Sequence, residues 1–257
     1  MTPAGAGPAL YAEAHDGTLI AYRVSGGAAA EADARPVLLV HGFASDAETT
    51  WVRTGWVRAL NDAGRPVITV ELRGHGDSDK PVDAASYAPA TMGADLLAVL
   101  DSAGADEVDV VAYSLGNRVV SALAALAPER IGRVVVGGAG PNELFSAWDL
   151  DEARAYLLEG REPENRLIAQ VLGPAVAAGA DPEALLAVIG GMSGSPLAVP
   201  AELPVLFVAG ELDPVPVGVA ELAESRGADF VTVPGRDHIS TLTSRRFKDA
   251  VIAFLAA

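Results

Sequence analysis

Short, continuous apolar runs alternate with segments of helical spacing along most of this 257-residue chain, and that alternation restricts the fold more than any other feature. The runs lie at 36–40, 66–70, 108–112, 134–138, 205–209 and 230–233, and each is too uniformly apolar for a strand with one wet face. Between them, 51–63, 92–103, 115–127, 217–225 and 240–256 carry apolar residues at helical intervals. Parallel strands need crossover connections, and helices supply them. The expected class is therefore α/β, with a mostly parallel central sheet flanked by helices. At the N-terminal end, 10–14 and 18–24 flank Asp16-Gly17, a dipeptide suited to a tight turn, and predict a β-hairpin.

The rhythm breaks once. From about Pro141 to Pro200 there is no convincing strand, but three helix-like stretches, 145–158, 164–172 and 182–189, are separated by Gly and Pro. About 60 residues are near the lower limit for an independent core. This interval reads as a helical cap insertion, 141–200, in a core made of 1–140 and 201–257. The loop 26–35, with its Ala-rich tract 28–34, reads as a loose connection.

Composition removes several function classes. There are no cysteines, hence no disulfide, no thiolate metal site and no thiol nucleophile. Eighteen Lys and Arg stand against 34 Asp and Glu, and a net charge of −16 repels nucleic acid and anionic membrane. Residues 1–7 lack the basic and apolar pattern of a leader, and no apolar run reaches the ~18 residues of a membrane span. A cytoplasmic monomer or homodimer acting on a small molecule is expected.

The strongest local signal is Val110-Val-Ala-Tyr-Ser114-Leu-Gly-Asn-Arg-Val119, an apolar run leading into Ser and a helical segment leading out. A nucleophilic Ser on such a corner needs small residues two positions to either side, here Ala112 and Gly116. Taken alone, Ser114 serves as well for a helix N-cap. A hydroxyl nucleophile requires a base, and the chain has four histidines, 15, 41, 75 and 238. In this architecture the order is Ser, acid, His, and only His238 follows Ser114. Asp213, just past the apolar run 205–209, is the favoured acid, with Glu211 as rival; Asp237 is too close to His238 in the chain to turn behind its ring. Oxyanion donors are expected from the backbone N–H of Leu115 and, in the loop His41-Gly42-Phe43-Ala44, of Phe43.

These signals together resemble the α/β-hydrolase family over nearly the whole chain. His41-Gly42-Phe43 is similar to its oxyanion loop, and Arg73-Gly-His-Gly-Asp-Ser-Asp79 to the turn after its next strand. Ala112 to Gly116 resembles the nucleophile elbow with Ala for the first Gly. Gly210-Glu-Leu-Asp213 is similar to the acid motif, and Asp237-His238 to the base. The resemblance implies a serine hydrolase of the esterase-like branch, without cofactor or metal, acting on a small carboxylic ester or lactone. It implies a structural role for His75 and a roofing role for the cap, with Phe145, Trp148, Met192 and Leu197 as candidates for the roof. A C–C bond hydrolase, or a cofactor-free perhydrolase or haloperoxidase, would use the same triad. A non-catalytic receptor could use the same fold.

Overall fold

The computed structural model describes residues 7–26 and 34–257. The readings made above on residues 1–6 and on 27–33 of the Ala-rich loop lie outside that range. Eight strands form one sheet: β1 (Leu10–Glu13), β2 (Leu19–Ser25), β3 (Val37–Val40), β4 (Val67–Val70), β5 (Val108–Tyr113), β6 (Ile131–Gly137), β7 (Val205–Gly210) and β8 (Asp229–Val233). Their order is β1-β2-β4-β3-β5-β6-β7-β8. The hairpin β1–β2 and the β2–β4 pair are antiparallel, and every pair from β4 to β8 is parallel. Gly17 takes φ 82 in the hairpin turn, a left-handed conformation that costs Gly nothing.

The apolar runs are continuous because both faces of the central strands are covered. Leu38, Val40, Ile68, Val70, Val110 and Val134 point into one apolar cluster, and their neighbours Val37, Leu39, Val67, Val111 and Val135 into another. The first cluster is roofed by α2 (Pro89–Ser102), α3 (Gly116–Leu126) and α7 (Val219–Ser225). The second is roofed by α1 (Trp56–Asp62) and α8 (Arg245–Ala256). Two predicted helices are shorter than their periodicity suggests. Gly55, at φ 81, separates a π-helical turn at Glu48–Val52 from α1, and Ser244 caps α8 after a 3₁₀ turn at Ser240–Thr243.

Between β6 and β7 lie a 3₁₀ turn (Phe145–Ala147), α4 (Leu150–Glu159), α5 (Arg166–Ala177) and α6 (Pro182–Met192). The side chains of Asp149, Asn165 and Asp181 accept hydrogen bonds from the first turns of these three helices, which satisfies orphan N–H groups there. Their buried residues, Leu157, Ile168, Leu172, Leu185, Val188 and Met192 among them, join the same apolar cluster as α2 and α3. The Arg118 guanidinium in α3 donates to the carbonyls of Gly140 (2.7 Å), Asn142 (2.8 Å) and Ser195 (3.1 Å). One buried side chain thus ties both ends of the helical interval to the helix that starts beside Ser114.

Candidate active site

The parallel strands β3, β5 and β7, with β6 between the last two, all end at the same side of the sheet, and their exits deliver His41, Ser114 and Asp213 there. Ser114 follows β5 directly and has φ 52, one of two non-glycine residues with positive φ among the described residues. A serine in that region is strained and persists only where its surroundings hold it. Ser114 N–H donates to Gly137 O at 2.9 Å. The Asn117 amide donates to Ser114 O at 3.0 Å and to Gly137 O at 2.9 Å. Asn117 is a support that sequence reasoning missed, since the spacing rule for the corner concerns only Ala112 and Gly116. The helix-cap reading fails here, because α3 has no side-chain cap.

Close packing explains the two glycines. A Cβ on Gly116 would fall 2.5 Å from His41 O and 2.6 Å from Val40 O. A Cβ on Gly42 would stand 3.0 Å from Ser114 Cβ. The corner at Ser114 and the loop after β3 therefore meet backbone to backbone.

His238 Nδ1 lies 2.8 Å from Asp213 Oδ2, and the Asp213 side chain is wholly buried. A carboxylate oxygen only accepts, so Nδ1 carries a proton, and in the neutral ring Nε2 is left as the acceptor. The other Asp213 oxygen accepts from Val215 N–H at 2.9 Å. The rivals are engaged elsewhere: Glu211 accepts from Gly235 N–H at 2.7 Å, and exposed Asp237 accepts from Ser240 N–H at 2.8 Å. Tyr113, adjacent to Ser114, packs its ring 5.1 Å from the His238 ring and donates its hydroxyl to His238 O. Burial pushes that phenol well above its ordinary range, so it stays a donor.

The N–H groups of Phe43, in the loop after β3, and of Leu115, next to Ser114 in the chain, meet no protein acceptor among the described residues. The Phe43 ring packs edge-on against Phe145 (4.7 Å between centroids) and Trp148 (6.5 Å). These contacts bring the start of the helical interval over the loop. Met192 is buried within the apolar cluster, and Leu197 packs against it at the edge. No group of three or more His, Cys, Asp or Glu able to hold a metal occurs among the described residues. No helix among them is long and apolar enough to cross a membrane.

His75 has a measurable consequence. Its side chain is buried, its Nε2 accepts from Ala44 N–H (3.1 Å) and its Nδ1 donates to Arg73 O (3.0 Å). Burial, the largest cause, depresses its pKa to about 3 against the opposing effect of its own hydrogen bond to Arg73 O. The unfolded chain takes up this proton near pH 6.5 and the folded chain does not. The contribution of neutral His75 is complete above pH 6.5 and declines as pH falls toward 3, by at most about 1.4 kcal/mol per pH unit. Urea unfolding at pH 7, 5.5 and 4.5 should show a shallower loss of stability in His75→Gln than in the wild type. Parallel curves would mean that His75 protonates in the folded state.

The arrangement of sheet, corner and loops is that of the α/β-hydrolase fold. A family model described as the alpha/beta hydrolase fold matches residues 35–158, just under half of the chain. It is 36% identical to a Mycobacterium tuberculosis protein over 121 residues, 47% of this chain and 32% of that protein. It is 32% identical to a 2-hydroxy-6-oxononadienedioate/2-hydroxy-6-oxononatrienedioate hydrolase of Cupriavidus pinatubonensis over 142 residues, 51% of this chain and 46% of that one. The chain thus spans about a third to a half of the length of these relatives. The crystal structure of the enol-lactonase from Burkholderia xenovorans superimposes with a TM-score of 0.77 at 24% identity, over 96% of this chain and 100% of that one.

Proposed function

We propose that the chain is a serine hydrolase that cleaves a small carboxylic ester or lactone through an acyl-enzyme on Ser114. The observation that carries this reading is the Asp213–His238 pair, 2.8 Å apart and oriented so that Nε2 is left to accept a proton. In the proposed cycle, Ser114 Oγ attacks the carbonyl carbon while His238 Nε2 takes its proton. Asp213 stabilises the imidazolium, which then protonates the departing alkoxide. Water activated by the same imidazole releases the acid and restores Ser114. The N–H groups of Phe43 and Leu115 receive the charge on the carbonyl oxygen, each worth roughly 10²–10³ in rate. The interval 141–200 acts as the cap, its roof over the site beginning at Phe145 and Trp148.

A fluorophosphonate probe followed by peptide mapping should modify Ser114 alone, and p-nitrophenyl acetate should be hydrolysed. A folded protein whose Ser114 remains unmodified would favour a receptor on the same fold. The 32% identity to a C–C bond hydrolase supports a second reading with the same triad. A panel of ester, lactone, thioester and vinylogous diketone substrates separates the two, since turnover of the diketone alone would overturn the ester reading.

A further inference from the structure

We propose that His41 and His75 are positioning residues that hold the Phe43 N–H in line for the transition state, each through the neutral imidazole tautomer that its partners dictate. This rests on the hydrolase reading given above. It assigns a task to two of the three histidines outside the triad.

Both tautomers follow from the partners. Leu72 N–H can only donate, so the His41 Nε2 it meets at 3.0 Å is an acceptor. The His41 Nδ1, 2.8 Å from Gly42 O, therefore carries the proton and donates to that carbonyl. By the same logic His75 accepts at Nε2 from Ala44 N–H and donates from Nδ1 to Arg73 O. Glu71 Oε2 lies 3.5 Å from His41 Nε2, but that lone pair is already occupied by Leu72 N–H. Glu71 reaches the loop instead through Ala47 N–H, at 3.1 Å.

These bonds grip both peptide planes that flank Phe43. Gly42 O and Phe43 N–H are the two ends of one planar trans peptide, so turning the carbonyl toward His41 turns the N–H the opposite way. Ala44 N–H belongs to the next plane, and its capture by His75 holds Ala44 at φ 56, a left-handed conformation uncommon for alanine. Neither plane can rotate without leaving a buried imidazole nitrogen unpaired. The two rings pack edge to face, 5.3 Å between centroids, so one braces the other. Donors that are fixed in advance pay no reorganisation when charge develops, which is where their catalytic value lies.

His75→Leu removes the acceptor for Ala44 N–H at similar volume, and His75→Gln replaces it with an amide oxygen. His75→Leu should lower kcat on p-nitrophenyl acetate roughly tenfold to a hundredfold, part of what one oxyanion donor is worth, with KM changed less than threefold. The inhibition constant of a phenylboronic acid, whose adduct with serine mimics the tetrahedral intermediate, should rise by the same factor. His75→Gln should recover most of both. Wild-type kcat and boronate affinity in folded His75→Leu would overturn the proposal, as would equal losses in the two variants. Nitrogen-15 spectra of the wild-type imidazoles give a test that no variant's folding can obscure. His41 and His75 should both show protonated Nδ1 and bare Nε2 at pH 7, and the opposite tautomer in either ring would sink the idea. Failure of fluorophosphonate to modify wild-type Ser114 would instead be a failure of the hydrolase reading, and would leave the tautomers unchanged.

Discussion

Ser114→Ala should lower kcat on p-nitrophenyl acetate by on the order of 10⁶, the scale of losing a triad nucleophile, while leaving the melting temperature within a few degrees. The loss is expected to be so one-sided because the Ser114 side chain holds nothing together. Its backbone N–H and O are tied to Gly137 and Asn117, but its hydroxyl makes no hydrogen bond to protein among the described residues. Alanine keeps the Cβ and the same strain at φ 52, so the corner survives and only the oxygen is missing. Turnover within tenfold of the wild type would mean that the chemistry lies elsewhere on the chain.

Asp213→Asn should cost about 10⁴ in kcat, the scale seen when a triad carboxylate becomes an amide, with little change in KM. Val215 N–H donates to one Asp213 oxygen and His238 Nδ1 to the other. In the variant, Val215 N–H keeps the amide oxygen on its own side, so the amide NH₂ faces the ring. His238 must then accept at Nδ1 and carry its proton on Nε2, where it cannot take one from Ser114. Glu211→Gln is the control: its carboxylate answers Gly235 N–H, and kcat should stay within threefold. Equal losses in the two variants, or a mild effect of Asp213→Asn, would break the assignment of the acid.

Much of the site was legible because chain order carries topology. Once the runs 36–40, 108–112 and 205–209 are parallel strands, the residues that follow them must gather at one sheet edge. That places the loops of His41, Ser114 and Asp213 together without coordinates. The loop with Glu211 and Asp213 was less legible, since residues two apart are equally near a strand end. Only the side-chain directions separate them, one carboxylate toward the His238 ring and the other toward Gly235 N–H. His75 was harder still. Nothing in the turn from Arg73 to Asp79 says that its imidazole reaches the loop after β3, because that contact joins residues 31 positions apart.

Ser114, the feature with the strongest local signal, marks the division. Periodicity and order along the chain determined the class of sheet, the strand-to-helix corner and the only histidine able to follow it, because these depend on spacing alone. The tertiary structure decided which carboxylate meets His238, that the Asn117 amide supports the corner, and that His41 and His75 clasp the loop opposite. Those depend on where buried hydrogen-bonding groups find partners, and a buried group takes whichever partner packing brings within 3 Å or so.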